Sequence, residues 1–214
     1  ALLATAAVHA AGPLYAERGT CSGHPGVVLQ VPAGWCAGLV ADARDGLRMP
    51  RRLLQVAPHR FWIVDMGNWE PRRGRLLELR TDTQPPTWRT LASRLDRPHG
   101  LARGPDGRVY VGEAGTVWRT PVADAVRREN VITGLPADGA HPLKELAFGH
   151  GGELYINVGS ATDACRNDQQ QGRAPQQNVW DIGQKGKRPP ARPAVGVVKQ
   201  QLPRQHTPEG QHQK

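Results

Sequence analysis

The chain has 214 residues, a length that suits one domain or part of a larger one. It carries 28 Lys and Arg against 19 Asp and Glu, a formal charge of +9. Most of this excess, +6, lies in residues 166–214, and only +3 lies in the first 165 residues. Because no basic stripe alternates with aromatic side chains there, the charge does not predict nucleic-acid binding. No stretch is long and apolar enough to predict a membrane helix.

Residues 1–16 begin with small apolar side chains and are typical of a signal peptide that lacks its basic start. A first strand or a flexible N-terminus is the alternative. Export predicts a secreted or periplasmic protein in an oxidising compartment. Cys21 and Cys36 are close enough in sequence to close a small disulfide loop there, whereas Cys165 has no evident partner.

Three segments, residues 60–65, 104–113 and 149–158, each contain a short apolar strand. The second and third align with an offset of 45 residues, Tyr110 over Tyr155, and the first aligns with the second at about 47. A period of about 40–50 residues built of short strands is typical of β-propeller blades, with an unrelated β-sandwich as the alternative. Further strands of the first two blades are predicted at residues 74–79, 87–91, 116–119 and 130–133. We therefore expect an all-β fold with about three propeller blades over residues 17–165.

The remaining residues, 166–214, differ from the rest of the chain in composition. They contain eleven Gln, six Pro and nine Lys or Arg, with one Trp and no Phe or Tyr. Such a segment cannot bury enough apolar surface to offset the entropy lost on ordering. The composition predicts a disordered basic tail that is not native to the propeller.

Two stretches resemble a known enzyme family. One is the run RPHGLA at residues 97–102, followed by the strand that ends in Gly112-Glu113. The other is HPLK at residues 141–144, followed by the strand that ends in Gly159-Ser160. Over roughly residues 20–165 the chain resembles the glucose/sorbosone dehydrogenases, soluble quinoproteins with a six-bladed propeller. The resemblance implies oxidation of a sugar or sugar aldehyde by hydride transfer to pyrroloquinoline quinone. It also implies a calcium ion that polarises the quinone, and a sugar and an electron acceptor as partners.

By this resemblance His141 matches the base that takes the proton from the sugar hydroxyl. A neutral imidazole with a pKa near 6.5 suits that role. Contacts to the quinone are expected from His99, Lys144, Ser160 and Asp163, although each of these also has an ordinary structural explanation. No metal ligand is predicted, because the calcium-binding loop of the family comes from later blades.

The chain also departs from the family. Ala140 stands where glucose-oxidising members have an acidic residue, and Cys165 stands where they have a Gln, which favours the sorbosone-type branch. Since residues 166–214 lack the later motifs, the chain is expected to be weakly active or inactive. Two alternatives remain. One is a lactonase-like propeller hydrolase with Glu113 and Asn157 on a central metal, and the other is a propeller used only for binding.

Overall fold

The computed structural model describes residues 15–160 and the backbone of the strand at residues 196–201. The chain divides into two compact units, residues 1–47 and residues 48–214. The described residues form strands, turns and one short 3-10 helix, and they contain no α-helix. Accordingly, no helix in this part of the chain could span a membrane.

The first unit is a small antiparallel sheet closed by a disulfide bond. Its strands, in the order β1-β2-β3, are β1 (Glu17–Cys21), β2 (His24–Val27) and β3 (Ala37–Gly38). Cys21 at the end of β1 is bonded to Cys36, with 5.7 Å between the Cα atoms. The predicted pairing is thus confirmed. Arg44, in the 3-10 helix that follows, donates a hydrogen bond of 2.8 Å to Glu17.

The second unit contains three antiparallel sheets, which we call the first, second and third blades. The first blade has the order β4-β5-β6-β7, with strands β4 (Pro50–Ala57), β5 (Arg60–Asp65), β6 (Gly74–Arg80) and β7 (Thr87–Leu95). The second blade has the order β8-β9-β10-β11, with strands β8 (Gly100–Arg103), β9 (Val109–Gly112), β10 (Thr116–Thr120) and β11 (Glu129–Thr133). The third blade has the order β12-β13-β14, with strands β12 (Leu146–Phe148), β13 (Glu153–Val158) and β14 (Gly196–Gln201). The all-β fold with about three propeller blades is confirmed.

Apolar side chains fill the space between consecutive blades. The core between the first and second blades includes Trp62, Leu76, Leu101, Val111 and Trp118. The core between the second and third blades consists of Tyr110, Val117, Leu146, Leu154 and Ile156. Both cores are buried, and alternate side chains of β9 in the second blade enter them, Val109 and Val111 on one side and Tyr110 on the other. The first strands β4, β8 and β12 lie next to one another and form the inner edge of the unit.

The 45-residue repeat has a direct structural cause in the second and third blades. Gly104 and Gly149 occupy equivalent turns, and in both the glycine N–H donates to the carbonyl four residues on, at 2.8 and 2.9 Å. A Cβ atom on either glycine would collide with the ring of the following tyrosine, Tyr110 or Tyr155. The Gly and the Tyr therefore repeat together because the ring packs against the turn.

Six residues of the tail contradict the expectation of a segment without regular structure. β14 pairs antiparallel with β13, from Gly196 opposite Val158 to Gln201 opposite Glu153. Since an unpaired strand edge presents a row of backbone N–H and C=O groups, it can recruit a strand with little regard to composition. Residues 1–14, 161–195 and 202–214 lie outside the described residues, and with them most of the predicted signal segment and Cys165.

Candidate active site

The chemically useful side chains of the second unit gather at one end of the inner strands. His99 directly precedes β8, and Glu145 directly precedes β12. Arg51 and Arg52 are the second and third residues of β4. These positions are far apart in sequence, yet they meet because β4, β8 and β12 are neighbours. We call this group of four residues the inner-edge cluster.

His99 and Glu145 are the centre of the inner-edge cluster. Nδ1 of His99 lies 3.4 Å from Oε2 of Glu145, longer than a normal hydrogen bond, and no other hydrogen-bond partner reaches this buried nitrogen within the described residues. The imidazole is only 25% exposed. Burial lowers the pKa of His99 below its ordinary value; Glu145 opposes this effect, and the two arginines add to it. The ring is therefore held neutral beside a carboxylate.

Two arginines border this pair. Nε of Arg52 lies 3.7 Å from Oε1 of Glu145. The guanidinium of Arg51 lies 5.6 Å from the ring centroid of Trp69, a residue that is 55% exposed. The Nε atom of Arg51 is buried and has no hydrogen-bond partner among the described residues. A buried donor without a partner is costly, so each such atom needs an explanation, such as a catalytic role or a bound water or ion. Here two of them occur close to adjacent inner strands, on Arg51 in β4 and on His99 directly before β8.

A side-chain clamp fixes the start of the inner strands. In the first blade Asp65, at the end of β5, accepts a hydrogen bond of 2.7 Å from the N–H of Met49, which precedes β4. In the third blade Asn157 accepts from the N–H of Glu145. Asp65 and Asn157 occupy matching positions near the end of the second strand of their blades. Asp65 pairs with Pro50 at the start of β4. Asn157 follows Ile156, which pairs with Leu146 at the start of β12. The clamp on Glu145 holds the carboxylate at the position where it meets His99.

The second blade uses Glu113 in a related way. Its carboxylate accepts hydrogen bonds from the N–H of Asp96 at 2.5 Å and from the indole N–H of Trp118 at 2.7 Å. Burial raises the pKa of Glu113, an effect that these two hydrogen bonds oppose. The side chain thus ties the chain before β8 to the blade core. Glu113 was considered as a metal ligand from the sequence, and the structure instead places it in this internal contact.

His141 contacts Ser160, another residue selected from the sequence. Nδ1 of His141 lies 3.2 Å from the carbonyl oxygen of Ser160 and 3.3 Å from its Oγ. The two residues are brought together because Gly159 packs against the backbone of His141, where a Cβ atom would overlap it at 2.5 Å. The structure therefore joins two of the predicted site residues, but on a solvent-exposed histidine.

Lys144 is fully buried and serves the loop between β11 and β12. Its ammonium donates to the carbonyl oxygens of Pro136 at 2.8 Å and Pro142 at 2.6 Å. Burial, with a smaller contribution from Arg97, lowers the pKa of Lys144 to about 8. The predicted contact with a quinone carboxylate does not match this geometry, because the ammonium is directed at the backbone of its own loop.

The remaining predictions do not converge on one cofactor site. Asp163 lies outside the described residues. Within the part of the chain that is described, no three His, Cys, Asp or Glu side chains come together in a group that could hold a metal ion. The residues present do not fit a calcium ion or a quinone contacted by His99, Lys144 and Ser160 together.

Sequence reasoning missed the partners of His99. Glu145 and Arg52 were not selected, because their role depends on strands from three different blades. A signal was nevertheless present, since Leu101 and Leu146 align in the repeat and polar residues precede both. Aligning the starts of the inner strands, rather than the apolar strands alone, would have placed His99 near Glu145.

Comparisons with known proteins bear on the family prediction. No family model and no curated protein matches the chain. A solved structure described as a provisionally assigned gluconolactonase is similar, with 19% sequence identity and a TM-score of 0.43. The similarity covers 65% of this chain and 52% of that chain, so this protein spans about half the length of its structural neighbour.

The predicted membership of the glucose/sorbosone dehydrogenase family is therefore wrong. No comparison supports it, since neither a family model nor a curated protein of that family matches the chain. The motifs behind the prediction have a physical explanation within the blades. Gly104 and Tyr110, like Gly149 and Tyr155, belong to a turn that the repeat itself requires. Without that family, nothing in the described residues supports the pyrroloquinoline quinone and calcium predictions.

Proposed function

We propose that the inner-edge cluster is a hydrolytic site that opens a lactone, or a similar ester of a polar acid, with water as the nucleophile. The observation that carries the proposal is the position of His99, a mostly buried imidazole whose Nδ1 faces the carboxylate of Glu145. This arrangement favours the tautomer with a proton on Nδ1. The other ring nitrogen, Nε2, is then left as the base.

The reaction follows from general base catalysis. Nε2 of His99 takes a proton from water while the water oxygen bonds to the acyl carbon. The carbon–oxygen bond of the ester then breaks, and the imidazolium returns the proton to the leaving oxygen. Glu145 stabilises the imidazolium between these steps. Arg52, which lies 3.7 Å from Glu145, and Arg51, whose charge acts on His99, stabilise negative charge on the acyl oxygen.

Charge supports a polar acid as the product. The cluster holds two arginines and one carboxylate, since Arg52 lies near Glu145 and the charge of Arg51 acts on His99, which leaves a net positive charge beside the base. The exposed ring of Trp69 adds an apolar surface next to Arg51, suited to the face of a sugar ring. An aldonolactone combines the ester, the hydroxyl groups and the ring. This proposal retains the lactonase-like alternative from the sequence, but it assigns the chemistry to His99 and Glu145 rather than to Glu113.

The test is hydrolysis of an aldonolactone followed by pH-stat, with the spontaneous rate subtracted. We expect His99→Gln to lose about 10²–10⁴-fold in kcat/KM, the usual contribution of a general base. The matched control is His150→Gln, an exposed histidine in the turn between β12 and β13. A wild-type chain without activity, or an H99Q variant within tenfold of wild type, would refute the proposal.

The pH profile provides a second readout. On the acid side of the profile, kcat/KM decreases as His99 becomes protonated. Because burial lowers the pKa of His99, the midpoint of this decrease should lie below the ordinary imidazole pKa of about 6.5. Glu145 opposes that shift, so Glu145→Gln should move the midpoint to still lower pH and reduce the rate. An unchanged midpoint in E145Q would show that Glu145 does not act through His99.

A further inference from the structure

The first blade carries a depression at the end opposite to the inner-edge cluster. It has a volume of about 450 Å³, within the range of small-molecule sites. Its lining comes from β5, β6 and β7 and consists of Arg60, Glu78, Arg80, Thr87, Trp88 and Arg89. Arg60 begins β5, and Asp65 ends it opposite Pro50, next to Arg51 of the inner-edge cluster. The length of β5 therefore separates the two sites by roughly 16 Å.

Three arginines and one carboxylate, that of Glu78, line this depression. Glu78, which is buried, accepts hydrogen bonds from Arg60 at 2.6 Å, from the indole N–H of Trp62 at 3.1 Å and from Arg89 at 3.2 Å. Burial alone would raise the pKa of Glu78. The hydrogen bonds from Arg60 and Trp62 outweigh this effect and lower that pKa below its ordinary value. The carboxylate stays ionised and holds two of the arginines in fixed positions.

The arginines retain donors that the protein does not use. An arginine has five N–H donors, and Arg60 and Arg89 each give one to Glu78. Nε of Arg60 is buried without a hydrogen-bond partner in the described part of the chain. Arg80 is already paired, through Nε and a terminal nitrogen, with Asp82 at 3.1 and 2.5 Å. The unused donors therefore belong to Arg60 and Arg89.

We propose that this depression binds an acidic sugar, with the carboxylate on Arg60 and Arg89 and the sugar ring against Trp88. Planar guanidinium groups match the geometry of a carboxylate, and an aromatic face next to them matches the apolar face of a sugar. Thr87 supplies a hydroxyl for a ring oxygen or hydroxyl group. The site is independent of the hydrolytic one, because it lies at the other end of the blade and shares no residue with it.

The experiment is calorimetric titration of the whole chain with glucuronate, with glucose and acetate as probes for the ring and the charge alone. We expect saturable binding of glucuronate, with a Kd at least tenfold lower than that of glucose or acetate. Arg89→Gln should weaken it at least tenfold, and Trp88→Leu should weaken glucuronate without changing acetate. Arg89 is suited to this test because its side chain is 65% exposed, so the substitution leaves the blade core intact.

The matched control is Arg94→Gln, an exposed arginine on the same strand, β7, outside the depression. It should bind glucuronate like the wild type. Absence of saturable glucuronate binding would overturn the proposal, as would an equal loss in R94Q. Inorganic sulfate that binds as tightly as glucuronate would overturn it too, by showing a simple anion site without recognition of the sugar.

Discussion

Replacing Lys144 by methionine should change how stability depends on pH. The ammonium is fully buried and donates to two backbone carbonyl oxygens, those of Pro136 and Pro142. Methionine has a similar length and no charge, so it removes the buried ion and both donors together. At neutral pH these effects oppose each other, because the cost of burying the charge disappears while two carbonyl groups each lose a partner, at about 1–3 kcal/mol.

The magnitude follows from the pKa. Burial lowers the pKa of Lys144 from 10.5 to about 8, whereas the unfolded chain keeps the ordinary value. Between these two pH values the unfolded state holds the proton and the folded state has released it, so the wild type gains stability as pH rises. From pH 7 to pH 10 this gain amounts to about 2.5 kcal/mol from Lys144 alone. K144M lacks it.

The assay is urea unfolding of both proteins across that pH range, followed by circular dichroism. We expect the free energy of unfolding of the wild type, relative to that of K144M, to be about 2.5 kcal/mol larger at pH 10 than at pH 7. Arg94→Met, at an exposed position on β7, is the control and should follow the wild-type profile. Parallel profiles for K144M and the wild type would refute the reasoning, since they would show that Lys144 titrates alike in both states.

Three further variants test the fold. Replacing Cys21 and Cys36 by serine should cost about 3 kcal/mol in the first unit, the loop-entropy value for a loop of this size, and the double variant should no longer respond to a reducing agent in thermal unfolding. Gly104→Ala should cost about 1–3 kcal/mol in urea unfolding, because its Cβ overlaps the ring of Tyr110; a neutral effect would contradict the packing. Leu76→Ala, at a fully buried position between the first two blades, should cost about 2–5 kcal/mol, and a smaller loss would show a loose core.

Much of the blade architecture could be predicted because it repeats locally. The strands around Trp62, Tyr110 and Tyr155 were found from an offset of about 45 residues. In the second and third blades the structure shows why the turn glycine and the tyrosine recur together, because the ring packs against the turn. β4 was not predicted. Its pairing with β5 shifts register twice, which breaks the alternation of exposed and buried residues on which strand prediction depends.

The strand in the tail could not have been predicted from its own composition. β14 forms because β13 offers a free edge, and an edge supplies hydrogen bonds whatever the side chains are. Composition reports how much apolar surface a segment can bury, but not whether a partner strand is available. For this reason the structure differs from the expected lack of regular structure at residues 196–201, the only part of that segment which it describes.

In the candidate site, residues at equivalent positions of two blades have different roles, and the repeat in the sequence does not predict which role each one has. Lys144 is the third-blade counterpart of His99, because the offset of 45 residues that aligns Leu101 with Leu146 also aligns these two positions. The two side chains nevertheless do different work. His99 faces Glu145 across the inner edge, whereas Lys144 turns into its own loop and binds backbone carbonyls. Equivalent backbone positions thus carry one residue suited to chemistry and one that holds the loop. A sequence alignment of the blades can find such positions, but only the partner of each side chain decides between the two roles.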